Sequence, residues 1–336
     1  FPPCSYDRLT MRAILLAGYG GAEVMHVGTA EKPSPGPGQV LLRVAATSEN
    51  RPDIVQREGN YAPPKGESDI LGLEVAGTIE SLGEGVTDWS PGDRVMALIG
   101  GGGYAEFAVA HAAHLIPIPD SLDFVHAACV CETYLTAFLN LFRLAGLTDG
   151  ETVLLHGGGG GVNTAAIQLC RHLVPDSPIL VTASTGKVEG VKALGAHHVI
   201  DYRQSVFDQE VLALTDGRGA DVILDHIGAD YLKQNMKALA VYGRLVVIGV
   251  TSGPRAELNL ALMMVKRQQI MGSVLRPRPV QEKAAIISDF RSRAMPLFAD
   301  GMISPQVSHV FPLEEVVDAH RTMESSNHFG KIVLTM

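Results

Sequence analysis

Cysteine is scarce in this 336-residue chain: there are four, Cys4, Cys129, Cys131 and Cys170. That is too few for a disulfide framework and leads us to expect a reducing compartment. Long apolar runs are missing too. None approaches the ~18 residues that span a bilayer, so no membrane partner is expected. Positive charge is in deficit, with 27 Lys and Arg against 36 Asp and Glu and a net charge of −9. This argues against nucleic acid as a main partner, because phosphates need a basic face, although a local basic patch stays open. What is present is apolar: hydrophobic residues make up 46% and charged residues 19%. A sizeable core follows, and the length suits two domains. Residues 1–10 read as a leader without the apolar stretch of a secretory signal, either an upstream extension or the end of a processed segment. Met11 reads as the start of the first strand.

The most informative stretch is Val153–Leu169, VLLHGGGGGVNTAAIQL. A short apolar run reads as a buried parallel strand, five glycines as a tight turn, and the rest as a helix. Strand, glycine turn and helix begin a dinucleotide-binding unit. A pyrophosphate must approach backbone N–H groups closely, and a Cβ would block it; the helix N-terminus then holds the anion. Gly158 and Gly160 take the first two glycine places of the G-x-G-x-x-G pattern, and Asn163 stands at the third. That third glycine normally permits close helix–strand packing.

Before this stretch, Gly- and Pro-punctuated strand signals run for about a hundred residues and predict a β-rich domain. They include 11–17, 39–44, 70–83, 94–97 and 104–109, with a short helix near Pro52–Glu58 and a flexible loop at Gly100–Gly103. Residues 123–146 read as two helices. Five strand candidates then alternate with helices (153–155, 179–183, 198–200, 222–225 and 244–249), which predicts a doubly wound parallel sheet. Residues 280–300 read as a helix, and Lys331–Leu334 as a strand returning to the first domain. The fold class expected is α/β, with a Rossmann sheet at 131–272 inserted in a β-rich catalytic domain formed by 11–130 and 273–336.

The end of the second strand of a dinucleotide fold meets the adenosine ribose, where an acid selects NAD and neutral or basic groups admit the 2′-phosphate of NADP. Here Ile179–Thr182 runs into Ala183, Ser184, Thr185, Gly186 and Lys187. No acid ends the strand, Ser184 and Lys187 offer a hydroxyl and a cation, and Tyr202 and Arg203 follow the third strand. The cofactor expected is NADPH. Lys187 as a solvated residue of a first helical turn, and Ser184 as a simple helix cap, remain the alternatives.

Taken in order, several stretches resemble one family: Lys32–Gly36, Leu41–Ala46, Asn50–Asp53, Ile70–Glu74, Leu135–Phe138, Thr164–Leu169, Gly272–Arg276 and Gly330–Leu334. The chain resembles the medium-chain dehydrogenase/reductase superfamily on its zinc-free quinone oxidoreductase branch, in particular the tumour-suppressor-inducible NADPH quinone reductases. The resemblance implies a GroES-like catalytic domain, a Rossmann domain, a cleft between them, a homodimer or homotetramer, and cytoplasmic residence. It implies a phosphate turn of Gly158, Gly159, Gly160, Gly161 and Val162, and 2′-phosphate contacts from Lys187 and Tyr202 with Ser184. It places Thr136 by the carboxamide, Ile248, Gly249, Val250, Ser273, Val274 and Leu275 along the nicotinamide, and Asn50 and Tyr61 facing nicotinamide and substrate.

Zinc-dependent members of that superfamily hold metal where this chain has Asn50 and Leu73. A leucine cannot ligate zinc and an asparagine ligates it poorly, so no metal is expected. Cys129-x-Cys131 has no second pair and reads as buried small residues. Without a Lewis acid the acceptor must already be electrophilic, and a quinone fits. Asn50 and Tyr61 are the expected donors to the developing oxyanion, with Tyr61 as proton donor left open. A small-molecule ortho-quinone is the expected substrate. An enone or enal reductase, and a non-catalytic NADPH-binding protein of the crystallin type, are the competing readings. Gly-x-Ser-x-Gly does not occur and no nucleophile–base pair stands out, so a hydrolase has little support.

Overall fold

The computed structural model describes residues 9–336, so the leader reading lies almost wholly outside the described residues. The first strand begins at Thr10, one residue before the expected Met11. The chain forms two compact units, one up to Glu132 together with Arg276–Met336, the other Thr133–Leu275. The sequence boundaries lay two or three residues earlier at each junction. The difference moves Ser273, Val274 and Leu275 into the nucleotide-type unit.

The first unit is built on a mostly antiparallel sheet. Its central strand β3 (Gln39–Ser48) pairs with β4 (Glu74–Leu82), β6 (Phe107–His111) and the C-terminal β15 (Lys331–Thr335). Val40, Leu42, Val44, Val75 and Ile79 alternate inward along β3 and β4, giving one apolar face. The chain end therefore returns to the first domain as a strand, on an apolar run too short to stand alone. Helix α1 (Arg51–Arg57) follows β3 directly. Pro52 suits its first turn, and the Asp53 carboxylate accepts the Asn50 N–H at 2.8 Å. Long helix α9 (Val280–Ala299) buries Ile286, Ile287, Phe290, Ala294 and Phe298.

The Gly100–Gly103 segment is not the flexible loop expected. All four glycines are buried. A Cβ on Gly101 would stand 2.2 Å from the Ser68 carbonyl oxygen, and one on Gly103 2.9 Å from Thr47 Oγ1. These glycines let two backbone segments approach, which is the other use of a residue without Cβ.

The second unit is a six-stranded sheet in the order β10-β9-β8-β11-β12-β13, every pair parallel. The strands are β8 (Val153–His156), β9 (Ile179–Ala183), β10 (His198–Asp201), β11 (Ala220–Asp225), β12 (Leu239–Val247) and β13 (Gln269–Gly272). The sixth, Gln269–Gly272, was not among the five expected; it is short and only half-buried, so it carries no continuous apolar run. β8 and β9 are buried throughout, as strands covered by helices on both faces must be. The order reverses between β8 and β11, so the carboxyl ends of those strands form the crevice where such sheets bind ligands. The expected pair of helices at 123–146 is found as Phe124–Ala127 and Thr133–Phe138, the second running on into a π-helical turn at Leu139–Leu144.

Candidate functional site

In the nucleotide-type unit, β8 ends at His156 and α4 (Gly161–Leu173) begins five residues later with Gly160 as its N-cap. Between them the residue in the left-handed region is Gly157, with φ 78°. A Cβ there would also meet the His226 ring at 2.5 Å. The tight-turn role therefore falls on Gly157, one residue before the expected Gly158. Gly158 lacks a Cβ for a different reason: the Val181 and Val191 side chains occupy that space at 2.4 and 2.8 Å. Among the described residues the N–H groups of Gly159, Gly161 and Val162 keep no backbone partner, since Gly157 and Gly158 donate to Thr182 and Gly160 to Gly157. Three N–H groups at a helix N-terminus make an anion cradle.

Asn163, which stands where the pattern has its third glycine, supports the turn. It is 2% exposed, and its Nδ2 donates to the carbonyl oxygens of His156 and, at 3.2 Å, of Gly157. The amide ties the helix to the turn by hydrogen bonds where glycine would do so by close packing.

Lys187 lies across this cradle. A Cβ on Gly159 would meet its Cδ at 2.3 Å, so the lysine stem packs on the glycine backbone. Lys187 is half-buried, burial pushes its ammonium pKa down, and it has no ion-pair partner among the described residues. It closes a 3-10 turn (Thr185–Lys187) before α5 (Val188–Ala193) and is therefore not a solvated residue of a first helical turn. Ser184 occupies the N-cap position but makes no side-chain cap bond, which leaves its hydroxyl for other work. Tyr202 is 41% exposed just beyond β10, and its N–H donates to Ala183 at 3.2 Å, which brings it to the end of β9. Asp201 pairs with Ala183 across the strands, but its carboxylate accepts from Arg203 N–H at 3.0 Å and Gln204 Nε2 at 3.2 Å. Those bonds hold its pKa down, with the Thr185 hydroxyl as the largest cause.

The carboxyl ends of the next strands carry the residues expected beside a nicotinamide. Ile248 donates to Asp225 at 2.7 Å and Ser273 to Val247 at 3.0 Å. Gly249 packs against His226, where a Cβ would meet the carbonyl oxygen at 3.0 Å. Val250 and Val274 are about half exposed, at 49% and 53%, while Leu275 is 6% exposed and points inward. Thr136 is half-buried on Thr133–Phe138, its carbonyl taken by Asn140.

The first unit holds a buried polar cluster that the sequence only partly announced. Lys331, 4% exposed, donates to Asn50 Oδ1 at 2.5 Å and to the Glu49 carbonyl at 2.6 Å, and lies 3.2 Å from Glu74 Oε1. Glu74 also accepts from Ser48 Oγ at 2.5 Å, Asn50 Nδ2 at 3.0 Å and the Glu132 N–H at 2.8 Å. Asn50 gives its other amide hydrogen to the Ser48 carbonyl at 3.2 Å. Both hydrogens are thus committed inside the protein. Asn50 positions Glu74 and Lys331 and has no donor left for the oxyanion expected of it.

Asp53 accepts from Asn50 and Gly72 N–H and from Tyr104 Oη at 3.3 Å, while complete burial lifts its pKa to about 6. Leu73, at the zinc-ligand position of metal-dependent relatives, is 1% exposed. Among the described residues no group of three or more His, Cys, Asp or Glu could hold a metal ion. Cys129 and Cys131 are buried, and burial pushes both thiols up.

Tyr61 is half-buried, and the Arg276 guanidinium stands over its ring 5.1 Å from the centroid. Burial raises the phenol pKa and the neighbouring cation only partly opposes this, so the phenol keeps its proton through the neutral range. Arg276, over the Tyr61 ring, and Glu132, within its electrostatic field, were not among the residues expected here. Arg276 was visible only as the end of a matched motif, and Glu132 carried no spacing signal.

Comparison with known proteins agrees with this architecture. Residues 36–120 match the family described as the alcohol dehydrogenase GroES-like domain, and 194–334 the one described as zinc-binding dehydrogenase. The chain is 32% identical to the quinone oxidoreductase of Rattus norvegicus, over 97% of this chain and 98% of that protein. It is 31% identical to the human synaptic vesicle membrane protein VAT-1 homolog, over 96% of this chain and 86% of that protein. A solved mycobacterial quinone oxidoreductase superposes with a TM-score of 0.84 at 29% identity, covering 97% of this chain and 100% of the other. The CurK enoyl reductase superposes with 0.85 at 28%, covering 98% and 99%. No helix among the described residues is long and apolar enough to cross a membrane. With its GroES-like unit and its parallel six-stranded nucleotide sheet, the chain is an oxidoreductase of the medium-chain dehydrogenase/reductase superfamily, a family that works with a nicotinamide cofactor.

Proposed function

We propose that the protein is a zinc-independent, NADPH-dependent reductase of quinones, ortho-quinones in particular. The observation that carries the cofactor choice is Lys187, a half-buried cation without an acidic partner among the described residues, packed on the phosphate turn at Gly159. An unpaired, partly desolvated ammonium gains most from a fixed anion, and a 2′-phosphate supplies one. Ser184 and Tyr202, at the ends of β9 and β10, add a hydroxyl and a phenol. The cradle fits a pyrophosphate because the N–H groups of Gly159, Gly161 and Val162 have no backbone partner at this helix N-terminus.

Bound NADPH supplies a hydride. The residues of this chain bind its phosphates, orient it and provide polar contacts for the acceptor. With leucine and a fully bonded asparagine where relatives place metal ligands, these residues suit an acceptor that is electrophilic on its own. A quinone is one, because hydride addition gives an aromatic anion that needs only a proton. The solved enoyl reductase relatives favour a second reading, reduction of an activated C=C bond.

A homodimer or homotetramer is also proposed. It is supported by helix Leu260–Lys266, which buries none of its residues and exposes Leu260, Met264 and Val265 at 69–73%. A cytoplasmic location accords with the scarcity of cysteine.

The test is NADPH oxidation by chelator-treated protein, with 1,2-naphthoquinone, an α,β-unsaturated ketone, and NADH as the control donor. Fast turnover of the quinone with NADPH alone is expected. Preference for the ketone would move the assignment to C=C reduction. Activity lost on chelation and restored by zinc would overturn the metal-independent reading.

A further inference from the structure

Among the buried polar groups of the first unit that lack a hydrogen-bond partner are Arg276 and Glu132. Arg276 is 4% exposed; its Nε donates to the Gly100 carbonyl at 2.8 Å and its Nη2 to Gln56 Oε1 at 2.7 Å. Its Nη1 is buried with no hydrogen-bond partner, and so is Oε2 of Glu132. The two side chains lie within each other's electrostatic field and that of Tyr61, yet they form no ion pair among the described residues. A buried guanidinium and a buried carboxyl thus each keep one polar atom without a partner. Gly100 and Gln56 fix the arginine, and the glutamate backbone is fixed by Glu74, itself held by Ser48, Asn50 and Lys331. Unsatisfied buried polar groups are rare and call for a partner.

We infer that Arg276 and Glu132 recognise the acceptor: Arg276 Nη1 donates to one carbonyl oxygen, and the Glu132 carboxyl protonates the other oxygen in the same step as hydride transfer. The inference rests on the reductase reading above and deepens it. An arginine over the Tyr61 ring and a carboxyl within the electrostatic field of both match an acceptor with two neighbouring carbonyl oxygens and a flat ring. The step balances. The quinone takes the hydride on the oxygen bonded to Arg276 as the C–H bond of the reduced nicotinamide breaks; the two carbonyl π pairs shift, which closes the aromatic ring and leaves the negative charge on the second oxygen. The nicotinamide is oxidised and the quinone reduced by two electrons. The O–H bond of Glu132 breaks as the new hydroquinone O–H forms, and solvent re-protonates the carboxylate.

The carboxyl is suited to hold that proton. Its pKa is raised to about 8, by burial first and then by Glu74 and Asp53, with Lys331 and Arg276 opposing the rise. Tyr61, Cys131 and Lys283 are further titratable groups in its field.

The test is single-turnover reduction of 1,2-naphthoquinone by the NADPH-loaded full chain, from neutral to alkaline pH. The wild-type rate is expected to fall about tenfold per pH unit above about 8. Glu132→Gln should run about 100-fold or more slower at neutral pH and lose that limb. Glu132→Asp should keep it. Arg276→Lys should raise the quinone KM about tenfold with kcat and NADPH affinity little changed. Infrared difference spectra of wild type against Glu132→Gln should show one protonated carboxyl fewer at neutral pH, a readout independent of turnover. Wild-type turnover with an unchanged rate and profile in Glu132→Gln overturns this inference alone. Wild type that binds NADPH but reduces no quinone overturns the reductase reading and this inference with it.

Discussion

Lys187 gives the sharpest test of cofactor choice, provided the right substitution is made. Because its stem covers Gly159, Lys187→Ala would remove packing over the phosphate turn together with the charge. Lys187→Met keeps a stem of similar length and removes only the ammonium. A hydrogen bond to a charged group contributes about 1.5–3 kcal/mol. The half-buried setting places the loss toward the upper part of that range, because less solvent screens the pair. NADPH should therefore bind Lys187→Met about 10- to 150-fold more weakly. NADH, which lacks the 2′-phosphate, should change by less than about threefold. Burial lowers the lysine pKa, so the NADPH advantage of the wild type should decline at alkaline pH sooner than an exposed lysine would allow. Titration of nicotinamide fluorescence with both cofactors, in both proteins and across pH, measures all of this. Equal weakening of NADPH and NADH in Lys187→Met would refute the reasoning and reduce Lys187 to a packing residue.

Gly157→Ala should abolish tight binding of either cofactor, since it combines φ 78° with a clash against the His226 ring; calorimetric affinity near that of wild type would contradict the turn assignment. Lys331→Met should lower stability by about 3–5 kcal/mol, because it strands the buried Glu74 carboxylate, and Lys331→Met with Glu74→Gln should recover part of that loss in urea unfolding. His156 is held neutral, its pKa driven to about 3 by burial, with its ring nitrogens bonded to Thr182 and Asn235. The unfolded imidazole titrates near 6.5, so below that pH the unfolded state binds a proton that the folded state refuses, and stability falls as pH falls. Between neutral pH and pH 4.5 this group alone should remove about 2–3 kcal/mol, a loss that His156→Gln should not show. An identical acid-induced decrease in both proteins would remove His156 from the account.

The parts of this protein legible in its sequence are those where one local pattern answers one local need. Val153–Leu155, the glycine run and the helix after it could be read because strand, turn and helix are adjacent in the chain and each has its own period. Gly100–Gly103 was misread for the same reason. Consecutive glycines look alike whether they confer freedom or permit close approach, and only Ser68 and Thr47, distant in sequence, decide between the two. Asn163 shows the converse. It breaks the glycine pattern, yet its amide supplies by hydrogen bonding what the third glycine would supply by packing. The polar cluster lay furthest from view. Glu74, Glu132, Arg276 and Lys331 come from four separated segments, and none shares a spacing with another. Asn50 was found by pattern and assigned the wrong task, because a side chain's availability depends on what already holds it, and here Glu74, Ser48 and Lys331 do. In this chain, residue type identified the candidate donors. Unsatisfied hydrogen-bonding capacity, visible only in the fold, separates the groups that hold the site together from Arg276 and Glu132, which still have capacity for an acceptor.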